Sequence, residues 1–90
     1  MNSVIIFDVP ADKLVILKSS LKAMGYWERW QGNEGKIFYL PNNTLWKPNC
    51  ELKQAKNELE NLIRTLDIPL QRCIVLSVNP WDGIEGSPIT

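Results

Sequence analysis

The sequence lacks histidine altogether and contains only two cysteines, Cys50 and Cys73. Without histidine the chain can form no Ser-His-Asp or Cys-His catalytic arrangement and no histidine-ligated zinc site. Two cysteines that lie far apart predict neither a Cys-rich metal site nor the disulfide framework of a small secreted domain. No glycine-rich loop stands between a predicted strand and a predicted helix, which excludes a P-loop and a dinucleotide fingerprint.

An excess of charge and a long apolar run are missing too. Ten Lys and Arg balance ten Asp and Glu, which argues against tight nonspecific binding of nucleic acid, because counterion release requires a basic excess. No basic segment with a following apolar run opens the chain, and no apolar run approaches 18 residues. We therefore expect no signal peptide, no membrane span and a cytoplasmic protein.

The hydrophobic pattern predicts one α+β domain over residues 1–78 and a C-terminal tail over residues 79–90. Runs of β-branched and aromatic residues predict four strands, at Ser3–Phe7, Tyr26–Trp30, Lys36–Leu40 and Arg72–Val78. Apolar residues three and four positions apart predict two helices, with stripes Leu14, Leu17, Leu21, Met24 and Leu52, Ala55, Leu59, Leu62, Ile63, Leu66. The first helix should end at Gly25, and Thr44–Asn49 should lead irregularly into the second, with Asn49 as its N-cap.

The order of these elements predicts a ferredoxin-like βαββαβ fold, a four-stranded antiparallel sheet with two helices on one face. In that arrangement the first and third strands lie in the middle, so we expect Val4–Phe7 beside Ile37–Leu40 and the other two strands at the edges. The last strand is more apolar than an edge strand usually is. We therefore predict that the tail or a second subunit covers it.

Asp8, at the end of the first strand, is the one candidate for a catalytic residue. A single carboxylate holds a divalent cation weakly. A two-fold dimer that brought two Asp8 carboxylates together could hold Mg²⁺ or Mn²⁺, which would activate water against a phosphodiester. In the alternative interpretation Asp8 only caps the turn into the first helix.

Aromatic residues and the cysteines each allow a functional and a structural interpretation. Tyr26, Trp27 and Trp30 could stack on nucleobases or pack across strands. Trp46 and Trp81 would pin their loops to the core or line an interface. Cys73 is predicted to be an inert buried thiol, whereas a thiol at the first turn of a helix, as predicted for Cys50, could have a lowered pKa. The flanking Lys/Arg-Gly pattern of an RNA-recognition motif is missing around Phe38 and Tyr39.

The segment Val4-Ile5-Ile6-Phe7-Asp8-Val9-Pro10, followed by a helix ending in Met24-Gly25-Tyr26, resembles the CRISPR-associated spacer-acquisition subunit and the related GhoS-type antitoxins. The resemblance implies a ferredoxin-like homodimer, a tail that packs across the interface through Trp81 and Ile84, and Asp8 as the metal-binding residue. The chain departs from the spacer-acquisition pattern at Gln31–Gly35 and has fewer arginines. These departures favour a stand-alone, antitoxin-like relative.

Two main hypotheses follow. In the first, the chain is a homodimeric nucleic-acid-associated protein, a metal-dependent endoribonuclease or antitoxin, in which Asp8 holds the metal and Lys18, Lys22 and Arg29 contact the phosphates of RNA or DNA. In the second, it is a non-catalytic protein-interaction or regulatory domain of the same fold. A third, small-molecule sensing, requires a pocket. The resemblance and the metal role of Asp8 both depend on Val4–Phe7 lying beside Ile37–Leu40.

Overall fold

The computed structural model of the chain describes residues 1–32, 35–78, 83 and 85–86. Its elements follow the order β1 (Ser3–Asp8), α1 (Ala11–Ala23), β2 (Arg29–Gln31), β3 (Ile37–Tyr39), β4 (Thr44–Lys47), α2 (Leu52–Thr65) and β5 (Arg72–Ser77). All paired strands run antiparallel. The predicted α+β class with two helices is confirmed. Within the described residues, neither helix is long and apolar enough to cross a membrane.

The three-stranded sheet has the order β4-β1-β5, so β1 lies in the middle and β5 at an edge, as predicted. Val4 pairs with Trp46 on one side and with Leu76 on the other. Side chains of a strand alternate between the two faces of a sheet, and every second residue of β1, Ser3, Ile5 and Phe7, is buried. This alternation defines the face of the sheet that bears the core.

The prediction that Ile37–Leu40 lies beside β1 is wrong. Ile37–Tyr39 pairs with Arg29–Gln31 in a separate two-stranded sheet, and Thr44–Lys47 occupies the position next to β1. Within the described residues the chain forms a three-stranded and a two-stranded sheet instead of one four-stranded sheet, with an isolated bridge between Trp27 and Trp46. Thr44–Lys47 is only four residues long, and a run that short cannot be told from an irregular segment by periodicity.

Both helices pack on the face of the sheet that carries Ile5 and Phe7. Helix α1 contributes Leu17 and Leu21, and α2 contributes Ala55 and Leu59 to the same core cluster. Leu14 and Met24 of the predicted α1 stripe, and Leu62, Ile63 and Leu66 of the α2 stripe, pack partly buried against it. The two stripes of helical spacing therefore meet the sheet where the pattern indicated, except at Leu52, which is 41% exposed.

The ends of the helices test two further predictions. Gly25 follows α1 with φ +99°, and its N–H donates to the Lys22 carbonyl at 3.0 Å, so the predicted glycine stop is confirmed. Asn49 is not the N-cap of α2, because Glu51 takes that position. Asn49 instead has φ +49°, a left-handed conformation that asparagine tolerates better than most residues, and it turns the chain between β4 and α2.

Candidate functional site

Asp8 is held by two side chains, one on each neighbouring strand or turn. Its Oδ2 accepts a hydrogen bond from Arg72 Nε at 2.7 Å, and its Oδ1 accepts one from Asn43 Nδ2 at 3.3 Å. The hydrogen bond from Arg72, followed by the one from Asn43, holds the pKa of Asp8 below its usual value. The carboxylate thus links the end of β1 to β5 and to the turn before β4.

This arrangement does not fit a divalent cation within one chain. Mg²⁺ and Mn²⁺ require several oxygen ligands, yet both oxygens of Asp8 already accept from N–H donors. No group of three or more His, Cys, Asp or Glu residues lies together in the described part of the chain. Because Ile37–Leu40 does not lie beside β1, the strand arrangement on which the metal role of Asp8 rested is absent from the described residues, and that role stays a prediction that depends on a second copy. Asp8 makes no capping hydrogen bond to α1 either, whose N-cap is Pro10.

The structure brings the three predicted phosphate-binding residues to one place, around Glu28. Lys22 Nζ lies 2.9 Å from Glu28 Oε1, and Lys18 Nζ lies 3.6 Å from Glu28 Oε2. The hydrogen bond from Lys22 and the charges of both lysines hold the pKa of Glu28 below its usual value. Arg29 follows Glu28 directly at the start of β2, and it is exposed.

Lys18 lies outside the predicted leucine stripe of α1, yet its side chain is not on a solvated face. It is 8% exposed, and its Nζ donates to Asn42 Oδ1 at 2.9 Å. Lys18 stands four residues after Leu14 and three before Leu21, so helical geometry puts it on the buried side of α1. Its buried amine is satisfied within the fold, and Lys18 is therefore unsuited to contact phosphate.

Three tryptophans meet where β2 and β4 come together. Trp30 stacks on Trp46 with 3.6 Å between ring centroids and 23° between ring planes. Trp46 Nε1 donates to the Arg29 carbonyl at 2.7 Å, and the backbone of Trp46 exchanges two hydrogen bonds with Trp27. Trp30 and Trp46 thus take the packing role, whereas Trp27 remains 48% exposed.

The edge strand β5 presents an exposed apolar surface. Cys73 is exposed, not buried as predicted, and Ile74 and Leu76 are 53% and 41% exposed. Partial burial nevertheless raises the pKa of the Cys73 thiol. A groove of about 850 Å³ runs between α2 and β5 and is lined mainly by Leu52, Lys56, Leu59, Ile63, Leu70 and Val75. In the sequence, the only indication of this surface was that the last predicted strand is more apolar than an edge strand usually is.

Two predicted interface residues, Trp81 and Ile84, lie outside the described residues. The described Gly86 lies against Tyr39 of β3. No protein-family model matches the chain, and no curated protein matches it with significant similarity. Support for a function therefore comes from the geometry of the chain itself.

Proposed function

We propose that the chain is a non-catalytic protein-interaction domain that forms a homodimer by antiparallel pairing of two β5 strands. The supporting observation is that β5 has a strand neighbour on one side only among the described residues. Proteins commonly protect such edges with lysine, proline, bulges or inward charges. The stretch Cys73–Ser77 has none of these, since it reads Cys-Ile-Val-Leu-Ser.

The hydrogen-bonding register identifies the backbone groups that such pairing would use. The N–H of Val78 donates to the Asn2 carbonyl, within the register that pairs Val4 with Leu76. Because successive residues of a strand direct their N–H and C=O groups to opposite sides, those of Cys73, Val75 and Ser77 point away from β1. A two-fold axis through Ile74 or Val75 would pair these outward groups with those of a second copy and extend the sheet to six strands.

Both faces of the added strand would bury apolar surface. On the face away from the helices, Ile74 and Leu76 of each copy would become neighbours across the new strand pair. On the helix face, Cys73 and Val75 of the second copy would enter the groove beside Leu59 and Ile63. This groove lies where an added strand would continue the sheet, and α2 already forms one wall of the groove.

This dimer disfavours the metal-dependent nuclease. In it the two Asp8 carboxylates would stand about 20–25 Å apart, from three strand spacings of ~4.8 Å and four to six residues of ~3.4 Å. One cation cannot bridge that distance. The endoribonuclease hypothesis would need a different dimer, which brings the ends of the two β1 strands together, and it stays the alternative.

We also propose the ferredoxin-like fold and a cytoplasmic homodimer, and the resemblance to the antitoxin relatives now rests on the order of elements alone, because Ile37–Leu40 does not lie beside β1. Support comes from the order β5-β1-β4, with the Trp27 bridge beside β4. A ferredoxin-like sheet has this order when its second strand is reduced to a single bridge. Thr44–Lys47 would then be its third strand in place of Ile37–Leu40.

The dimer is tested by Ile74→Lys, with sedimentation velocity and light scattering over a range of concentrations. We expect the wild type to dimerise and the variant to be monomeric with an unchanged circular dichroism spectrum, because Ile74 is 53% exposed. The matched control is Val15→Lys on α1, where the replaced residue is 78% exposed, and this variant should dimerise normally. A monomeric wild type, or a dimer that tolerates Ile74→Lys, would refute the proposal.

Native Cys73 offers a second test, because it is exposed while Cys50 is buried. A bismaleimide that spans four strand residues, about 14 Å, should link two chains through Cys73 in either register. Cys73→Ser should abolish the covalent dimer. Cross-linking that persists in Cys73→Ser would place the contact elsewhere.

A further inference from the structure

We infer that Trp27 and Arg29 form a binding site for single-stranded nucleic acid, in which nucleobases stack on the Trp27 indole and Arg29 contacts phosphate. The site lies beside β4, on the side of the sheet opposite β5. The site therefore does not require the proposed dimer. A dimer would carry one such site near each end of its extended sheet.

Trp27 is exposed but held firmly at its backbone. Its N–H donates to the Trp46 carbonyl at 2.7 Å, and its own carbonyl accepts from the Trp46 N–H at 3.0 Å. The stack of Trp30 on Trp46 fixes the other side of this junction. The indole is 48% exposed and extends from a hydrogen-bonded strand position, so a ligand can cover it without the backbone having to become ordered.

Trp27 lines two clefts. One, of about 480 Å³, is lined by Trp27, Arg29, Gln31, Ile37, Trp46 and Pro48. The other, of about 430 Å³, is lined by Lys22, Gly25, Tyr26, Trp27, Glu28 and Arg29. Trp27 and Arg29 border both clefts, so successive bases of one strand could occupy the two sides. Both volumes lie in the range typical of small-ligand sites.

The charge of this surface suits a polyanion. Among the described residues, none of those that line the first cleft is acidic. In the second, the one carboxylate, Glu28, already pairs with Lys22 and Lys18. Of the residues that line this cleft, the two cations Lys22 and Arg29 outnumber Glu28 by one charge. An otherwise neutral chain thus carries a small basic surface beside the exposed Trp27 ring, the combination that binds single strands without sequence preference.

A proline-rich peptide is the main competing ligand for an aromatic cleft. Such a peptide needs hydrogen-bond donors for its carbonyl groups. The donors of two aromatic residues here are already used, since Trp46 Nε1 donates to the Arg29 carbonyl and the Tyr26 hydroxyl to Glu58 Oε1. Lys22 and Arg29 can still donate to peptide carbonyls, but their positive charge favours phosphates over the uncharged carbonyls of a proline-rich peptide.

The test is fluorescence anisotropy with labelled oligouridylate and oligothymidylate decamers at low salt, using the full chain. Trp27→Ala should weaken binding by about 5- to 150-fold, the range typical when an aromatic residue that stacks on one base is replaced by alanine. Trp27→Tyr retains a ring and should bind within about three-fold of wild type, which separates stacking from any effect on folding. The matched control is Val15→Ala, an exposed apolar residue on α1, which should bind as wild type.

Salt dependence tests the role of Arg29. Each phosphate contact to a single strand contributes about −0.7 to the slope of log K against log salt. Arg29→Gln should reduce the magnitude of the slope by about that amount, whereas Lys53→Gln, an equal loss of charge on α2, should leave it unchanged. Uridylate and thymidylate arms show whether the 2′-hydroxyl contributes.

Several results would overturn the inference. These are absence of binding at low salt, binding that is insensitive to both Trp27→Ala and Arg29→Gln, and equally tight binding of a duplex of the same length. Binding of a proline decapeptide in place of the oligonucleotides, lost in Trp27→Ala, would reassign the cleft to peptides.

Discussion

Arg72 donates from Nε to Asp8 Oδ2 at 2.7 Å, across the pair that joins β5 to β1. The two residues stand directly opposite each other in the register of these strands. A residue that could have been a metal ligand is thus a cross-strand partner, and it fastens the outermost strand of the sheet close to the proposed dimer contact.

Asp8→Asn should therefore weaken the fold in a pH-dependent way. Since Arg72 lowers the pKa of Asp8 in the folded state, the carboxylate stabilises the fold above its unfolded pKa of about 3.9, and this contribution is lost as the pH falls through the folded pKa. Urea midpoints of wild type and Asp8→Asn should differ at pH 7 and converge towards pH 2. A difference that is equal at both pH values would contradict the prediction. Arg72→Met should show the same convergence.

Lys18 should matter for stability and Lys22 should not. Lys18 is largely buried and bonded to Asn42, whereas Lys22 is exposed in its pair with Glu28. We expect Lys18→Ala to lower the free energy of unfolding by roughly 1–3 kcal/mol, because it removes a satisfied buried donor and a packed aliphatic stem. Lys22→Ala should cost about 0–1 kcal/mol. Urea unfolding of both variants measures the difference, and equal costs would show that Lys18 is not structural.

The stack of Trp30 on Trp46 should hold the β2–β3 hairpin to the three-stranded sheet. Trp30→Ala removes an aromatic contact worth about 0.5–1.5 kcal/mol beyond its buried area. Amide hydrogen exchange over Ile37–Tyr39 should accelerate, while exchange in β1 stays slow, because β1 is paired on both sides. Trp30→Phe keeps a ring and should show a smaller effect. Uniform acceleration across both sheets would indicate global loss of stability instead of local release.

Tyr26 should make the fold sensitive to alkali. Burial, followed by the hydrogen bond to Glu58, raises the pKa of the Tyr26 phenol. The stabilising effect of the neutral phenol is fully present below the unfolded pKa of about 10 and declines as the pH rises above it. Tyr26→Phe should be less stable than wild type at pH 8, by about 1 kcal/mol for the lost hydrogen bond. The gap between their urea midpoints should narrow by pH 11, and a constant gap would count against this account.

The longest periodic patterns were sufficient to predict most of the fold. The stripes of α1 and α2, the buried strand β1 and the glycine stop at Gly25 follow from residue spacing and local conformation, so they could be read directly. Placement of Ile37–Tyr39 and Thr44–Lys47 could not, because these strands are three and four residues long and too short for a periodic pattern to identify their partners. The prediction followed the more continuous of the two, whereas pairing with β1 selected the run that could bury Leu45 in the core.

The candidate sites show the same division. Their chemistry was visible in the sequence, where Asp8, Lys18, Lys22, Arg29 and the tryptophans were all identified. Their roles depended on partners distant along the chain: Arg72 for Asp8, Asn42 for Lys18 and Trp46 for Trp27 and Trp30.

By itself, then, the sequence determined the two helices, most of the strands, the α+β class and the types of side chain available, but not the strand Thr44–Lys47. Tertiary structure decided which strand became β1's second neighbour, which cation was buried, and which aromatic ring remained exposed. The physical reason is that spacing along a chain specifies local conformation and the face of each element, whereas pairing between short strands depends on contacts that no local pattern encodes.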